Sequence, residues 1–460
     1  MSVTGESMLS WLRGIFGVDG LAPWELEQYL AAIPRLESLS DVPSGTPVLV
    51  RGDTDCKPGE SIGQGDIRLR SMKATLEFGR SRGWKQIVFG HIGRDPAQSL
   101  AKVAKRLGQI LECEVPLITD WFDAASSTIR PEVSQQIAAA APGSIVMLEN
   151  TRAYDMERVL WKAKPDDLPK LAGSLAATAQ EFAGKLAKVY VNEAFSAGSL
   201  DSSSTVVPAG MERVALGSYV RDQLAGPMMR CLRAELVVFS GLKADKLDDM
   251  EAIIRRGHVR TLFCAGSLAM ALKKAAAQRA GSDFTLGVAE DPAHADKPYF
   301  VPAKRIEQAK RMLEEGERAG ITFVLPVDFV LEDGSVSETI GPGRQQFDIG
   351  PKSSAHFAAE VDRFIQKSAG KKSVAFHNGV FGMFEDPRFE AGTRDFMPQL
   401  KKMKDSGMEV YIGGGEGGSA MERYGQPDWI THCFTAGGTV LNALGADPIP
   451  YLVALRLASV

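Results

Sequence analysis

The sequence holds only five cysteines in 460 residues. Cys56, Cys113, Cys231, Cys264 and Cys433 stand far apart with no C-x-x-C pair, so neither a disulfide framework nor a thiolate metal cluster is expected. They read as small buried hydrophobes in a reducing compartment, and a cytoplasmic location is the expectation. No apolar run approaches the roughly 18 residues that cross a bilayer. Arg13 separates Met8-Leu9-Ser10-Trp11-Leu12 from Gly14-Ile15-Phe16, which argues against a signal peptide. There is no basic excess either: 53 Lys and Arg stand against 57 Asp and Glu, a net charge of −4, which excludes a general nucleic-acid footprint. Any anion binding must therefore come from local clusters. Repeats of fixed period and low-complexity tracts are also missing.

What is present is a recurring alternation. Short apolar runs rich in Val, Ile and Phe fall at 47–50, 86–89, 144–148, 188–191, 236–239, 261–265, 322–326, 373–376 and 409–412. Each is apolar without period-two alternation, the pattern of a strand buried on both faces. Between them lie segments of helical spacing, such as 100–112 and 303–320. Strands alternating with helices predict an α/β protein with parallel sheets covered by helices. The length exceeds what one core usually fills, so two domains are expected. Residues 217–232 read as a helix joining the two sheets. Trp11, Leu12, Ile15 and Phe16 mark an amphipathic helix before the first strand, predicted to pack on the body or on a partner subunit.

Ligands of open α/β sheets bind beyond the carboxyl ends of the strands. In the first half those ends carry Arg51-Gly52-Asp53-Thr54-Asp55, His91-Ile92-Gly93-Arg94, Glu149-Asn150-Thr151-Arg152 and Asn192-Glu193-Ala194-Phe195, with Arg68 in the first connection. Guanidinium groups grip phosphate and carboxylate in bidentate fashion, so several at matching strand ends suit a small, multiply charged acid.

The second half ends its strands with Ser240-Gly241-Leu242-Lys243-Ala244-Asp245-Lys246, with His377-Asn378-Gly379, and with Gly413-Gly414-Gly415-Glu416-Gly417-Gly418 opening a helix. Glycines before a helix let a phosphate approach bare backbone amides, and lysine adds a point charge. A nucleotide phosphate cradle is the reading. No G-x-x-x-x-G-K-[ST] occurs, which disfavours a P-loop enzyme. Residues 413–418 satisfy G-x-G-x-x-G, but the region near 438 has no acid for a ribose, which disfavours a dinucleotide-dependent dehydrogenase. The H-R-D and D-F-G motifs of a protein kinase are missing.

In this order, VLVRGDTD, IRLRS, HIGR, LENTR, YVNEAF, GLKADK, LPVD, DIGPK, HNGVFGMFE and GGGEGG resemble the motifs of the phosphoglycerate kinase family over roughly residues 40–460. The resemblance implies two Rossmann-like domains with parallel sheets, joined by a hinge helix that lets them close over substrates. The expected division is an N-terminal extension at 1–39, an acid-binding domain at 40–220, a nucleotide-binding domain at 221–435, and a segment at 436–460 that returns to the first domain. The chemistry implied is reversible transfer of a phosphoryl group between ATP and the carboxylate of 3-phosphoglycerate, giving 1,3-bisphosphoglycerate and ADP, with Mg²⁺. By resemblance, Asp53, Asp55, Arg68, His91, Arg94 and Arg152 bind the acid, and Arg68 and Lys243 act on the transferring phosphoryl group. Lys243, Lys246, Asn378, Gly379, Glu385, Gly414, Gly415, Glu416 and Gly417 line the nucleotide site, with Glu416 as the metal ligand. A phosphorylated acid and an adenine nucleotide are the partners implied, without nucleic acid or membrane. The expected protein is a monomer, with the N-terminal extension its candidate for self-association.

The match departs from the family inside the site. Ser199 and Leu200 stand where the family has a His-Arg pair, and Asp55 replaces an asparagine. The GLKADK lysines are three apart rather than four, Glu416 replaces an aspartate, Gly417 removes a threonine, and a T-G-G-G turn reads Thr435-Ala436-Gly437-Gly438. These changes keep two alternatives in view: a kinase for a related acid, and a non-catalytic nucleotide-binding relative.

Overall fold

The computed structural model describes residues 2–18, 24–242, 246–445 and 448–460. The chain divides into two compact units, Met1–Gly226 with Pro448–Val460, and Pro227–Asp447. The break falls six residues beyond the expected 220/221 boundary, and the segment belonging to the first unit begins at Pro448 rather than 436.

In the first unit a six-stranded parallel sheet contains β1 (Pro47–Gly52), β2 (Lys85–Phe89), β3 (Leu117–Ile118), β4 (Ile145–Leu148), β5 (Val189–Glu193) and β6 (Arg213–Leu216), in the order β3-β4-β2-β1-β5-β6. Val48, Leu49 and Val50 are wholly buried, as expected for the centre of a sheet covered on both faces. The second unit repeats the design with β7 (Leu236–Ser240), β8 (Thr261–Ala265), β9 (Thr322–Val324), β10 (Val374–Asn378), β11 (Glu409–Ile412) and β12 (His432–Cys433), ordered β9-β8-β7-β10-β11-β12. All nine apolar runs form strands. The edge strands β3, β6 and β12 stand outside those nine runs. So does a small antiparallel sheet of 329–331, 336–337 and 346–349.

The helix expected at 217–232 runs as α-helix through Ser218–Gln223, widens to a π-helix over Leu224–Met228 and closes at Met229–Cys231. Pro227 lies inside the widened turn, where a missing N–H and a bulky ring disfavour regular i→i−4 bonding.

Helix α1 (Gly5–Phe16) is built from strong local signals. Thr4 Oγ1 accepts from Ser7 N at 3.1 Å and Ser7 Oγ accepts from Thr4 N at 2.8 Å, a reciprocal cap, and left-handed Gly17 ends the helix. It buries Met8, Leu12 and Ile15. Met8 and Leu12 join a cluster with Leu168, Leu175, Ala176 and Ala179 of α2 (Leu168–Lys185). Each fully buried Leu or Met contributes about 1.5–3 kcal/mol, so this helix is integral to the first unit.

In the second unit, α3 (Glu416–Tyr424) follows β11. In the first, α4 (Pro450–Ala458) buries Tyr451 through Leu455 and packs on α1 and on the short helix Ser202–Thr205. Among the described residues no helix is long and apolar enough to cross a membrane.

Candidate functional site

In the first unit the carboxyl ends of β1, β2 and β4, with the turn after β5, gather charge into one buried network. Arg51, at the end of β1, is 1% exposed. Its Nε donates to Ser203 Oγ at 2.9 Å, its Nη1 to the Gly52 carbonyl at 2.6 Å, and its Nη2 lies 2.9 Å from His91 Nδ1. Burial holds the His91 pKa well below its ordinary 6.5, and the guanidinium groups of Arg51 and Arg152 push it the same way. The ring is therefore neutral at pH 7, and Nδ1 accepts from Arg51. Arg152 donates from Nη1 to the Gly93 carbonyl at 2.7 Å and stacks 4.7 Å above the Trp161 ring. Among the described residues its buried Nε has no hydrogen-bond partner, an unspent donor of the kind a ligand would satisfy.

Arg68 approaches the same strand end from the first connection, with Nε 3.8 Å from Asp53 Oδ1 and Nη1 3.2 Å from Asp55 Oδ2. Buried Asp53 accepts from Ser196 Oγ at 2.6 Å and Ser196 N at 3.2 Å, which fixes its carboxylate beside Arg68. Burial works to raise the Asp55 pKa, but the Gly93 amide, donating at 2.8 Å, and nearby positive charge including Arg68 outweigh it and leave the carboxyl below its ordinary value. The asparagine-to-aspartate departure has thus placed a counter-charge on Arg68. Arg94 is exposed and makes no hydrogen bond or ion pair among the described residues.

Three participants were not picked out from sequence. Asp201 is fully buried, with Oδ2 3.1 Å from Arg152 Nη2, 3.4 Å from His91 Nδ1 and 3.7 Å from Arg51 Nη2. Trp161 Nε1 donates to its Oδ1 at 2.9 Å. Buried Glu157 accepts from Thr151 Oγ1 at 3.0 Å, Ser203 N at 2.8 Å and Ser203 Oγ at 2.5 Å. Its pKa rises from 4.5 to about 7, first through burial and then through repulsion by Asp201. The available signal was the run Asp201-Ser202-Ser203-Ser204-Thr205, five polar residues in succession between the apolar runs of two strands; all five are 0% exposed.

Ser199, in the position of the family's histidine, is exposed and donates from Oγ to Asp201 Oδ2 at 3.0 Å. Leu200, in the position of the arginine, packs against the apolar cluster of α1 and α2. His91, Glu157 and Asp201 bring ligand-type atoms within 4.8 Å of one another. Arg51 and Arg152 already supply positive charge at that point, so electrostatics disfavour a metal ion there.

The second unit presents backbone rather than side-chain charge. Gly379 adopts φ +92°, and a Cβ there would sit 2.2 Å from the Ser240 carbonyl oxygen, so only glycine lets the ends of β7 and β10 meet. Neutral His377 secures this turn: burial lowers its pKa to about 4, and its Nε2 donates to the Gly379 carbonyl at 2.8 Å. Asn378 is 4% exposed and its Nδ2 has no partner among the described residues, a second unspent buried donor. Gly413 abuts Asn378, and Gly414 abuts the Phe434 carbonyl. Gly415, at φ +73°, caps α3, whose first turn carries exposed Glu416 and buried Gly417. Lys246 lies before the helix Leu247–Arg255, with Nζ 3.4 Å from the Ser240 carbonyl. Glu385 is exposed in the loop after β10. Lys243 lies outside the described residues. The glycine-lined strand ends, the unpartnered Asn378 amide and a single exposed carboxylate at a helix start fit a nucleotide phosphate with magnesium, an ion that commonly takes one or two protein carboxylates beside phosphate oxygens.

Fold and sites define a two-unit α/β protein with a cluster of arginines at the strand ends of one parallel sheet and glycine-rich turns at the strand ends of the other. Residues 39–447 match the family model described as phosphoglycerate kinase, and the chain belongs to that family. It is 27% identical to the cytosolic phosphoglycerate kinase of Nicotiana tabacum, over 89% of this chain and 95% of the relative. It is 29% identical to the phosphoglycerate kinase of Saccharomyces cerevisiae, over 79% and 84%. Among solved structures, the phosphoglycerate kinase of Pyrococcus horikoshii superposes with a TM-score of 0.68 at 21% identity, covering 93% of this chain and 99% of that one. That of Coxiella burnetii gives 0.64 at 22%, covering 91% and 98%.

Proposed function

We propose that this protein catalyses ATP-dependent phosphoryl transfer to the carboxylate of 3-phosphoglycerate, reversibly, with 1,3-bisphosphoglycerate and ADP on the other side. The observation that carries the proposal is the convergence of Arg51, Arg68, His91 and Arg152 at neighbouring strand ends in a chain of this family. The acid is held by Arg68, Arg94, Arg152 and His91, with Asp53 and Asp55 orienting Arg68. The nucleotide is held by Lys243, Lys246, Asn378, Gly379 and the Gly414–Gly417 turn, with Glu385 toward the ribose.

In the forward reaction a carboxylate oxygen of the acid forms a bond to the terminal phosphorus of ATP as the bridging P–O bond breaks, leaving an acyl phosphate and ADP. No general base is needed, because a carboxylic acid with a pKa near 4 is already ionised at pH 7. A neutral His91 is consistent with that: it binds and does not deprotonate. What remains is alignment and neutralisation of charge on the moving group, the work of Arg68 and Lys243. Magnesium, when bound, shields the phosphate oxygens, and Glu416 would hold it.

A cytoplasmic monomer is part of the same proposal. It is supported by relatives named as cytosolic and by an α1 whose apolar face is already covered within its own chain. The test is steady-state ADP production from Mg-ATP and 3-phosphoglycerate. Lys243→Ala and Arg68→Ala should each lower kcat by about 10²–10³-fold. Tight ATP binding without turnover in the unmodified protein would instead identify a non-catalytic relative.

A further inference from the structure

The anion pocket of the first sheet already contains an anion. Arg51, His91, Arg152, Trp161 and Ser199 all turn a nitrogen or hydroxyl toward the Asp201 carboxylate, at 2.9–3.7 Å. A buried carboxylate held by two guanidinium groups and two neutral donors is well compensated, so it is a stable resident rather than a strained one. The adjoining residue adds no positive charge in return, because Leu200 packs with the apolar cluster around α1. Trp11 Nε1 donates to the Thr205 carbonyl at 2.6 Å, tying α1 to the turn that carries Asp201. Two guanidinium groups that would grip a dianionic phosphate therefore already face a carboxylate, Arg152 Nε alone of the Arg152 nitrogens being left over among the described residues, and an incoming phosphate meets a like charge beside them.

We propose that Asp201 is a specificity-determining residue. Its carboxylate engages Arg51 and Arg152 as a ligand's phosphate would, and so weakens the grip on the phosphate of 3-phosphoglycerate relative to a small hydroxy acid that carries a carboxylate alone. This rests on reading the first sheet as the acid pocket. An acid without a phosphate makes its charged contact at Arg68 and Arg94 and asks nothing of the groups that Asp201 holds.

The test is calorimetric binding of 3-phosphoglycerate and of glycerate to the full chain and to Asp201→Asn. The variant should bind 3-phosphoglycerate at least about tenfold more tightly, the equivalent of one charge-assisted contact regained. Its affinity for glycerate should change by less than about threefold. An unchanged ratio of the two affinities, or weaker 3-phosphoglycerate binding, overturns the assignment of Asp201 and leaves the acid pocket standing. Failure of both proteins to bind either acid overturns the pocket reading and this inference with it. If Asp201→Asn does not fold unaided, refolding in inorganic phosphate reads the same competition: recovery supports it, because phosphate takes the carboxylate's place, and no recovery overturns it.

Discussion

Glu157 sits beside the arginine cluster of the first unit, wholly buried, and replacing it by glutamine isolates one titration there. Burial, with repulsion from Asp201, raises its pKa from 4.5 to about 7. At 1.36 kcal/mol per decade that displacement corresponds to about 3 kcal/mol. The folded state prefers the protonated form. The stabilising contribution is therefore complete below pH 4.5, erodes as pH rises from 4.5 to 7, and is lost above 7. Glu157→Gln keeps the shape and the acceptor for Ser203 N and removes the titration. The stability difference between variant and wild type, in favour of the variant at pH 8, should shrink by about 2 kcal/mol on going to pH 5.5. Urea unfolding followed by tryptophan fluorescence at the two pH values measures it. Trp11, Trp24, Trp84, Trp121 and Trp161 lie in the first unit against Trp429 alone in the second, so the signal reports mainly on the right unit. Parallel pH profiles for the two proteins would refute the reasoning, since Glu157 would then be ionised in the fold at no cost.

Arg94→Ala removes an exposed guanidinium that makes no ion pair among the described residues, so stability should stay within about 0.5 kcal/mol, while 3-phosphoglycerate affinity measured by calorimetry falls about tenfold. Equal affinity for the acid would take Arg94 out of the site. Trp11→Phe keeps most of the apolar contact of α1 but loses the bond to the Thr205 carbonyl, and should cost about 1 kcal/mol in urea unfolding of the first unit. An unchanged midpoint would mean that α1 is not coupled to the turn bearing Asp201.

The amino-acid sequence by itself determined the nine principal strands, the parallel α/β class and the residues that close each strand. The reason is local: a run such as Val48-Leu49-Val50, apolar on consecutive residues, is stable only where both faces are covered. It also determined α1, through the spacing of Trp11, Leu12, Ile15 and Phe16, to which the structure adds the Thr4–Ser7 cap. Only the tertiary structure decided which charges meet at the strand ends of the first sheet. Residues 51, 91, 152 and 201 meet because β4, β2, β1 and β5 are neighbours in the sheet, an order set by long-range packing and invisible to any local pattern. Within one turn, Leu200 went to the apolar cluster under α1 while Asp201 went to the arginines. Neither residue type nor spacing shows which of two adjacent side chains a turn sends inward to apolar contact and which to charge; the α1–α2 cluster on one side and the guanidinium groups on the other made that choice.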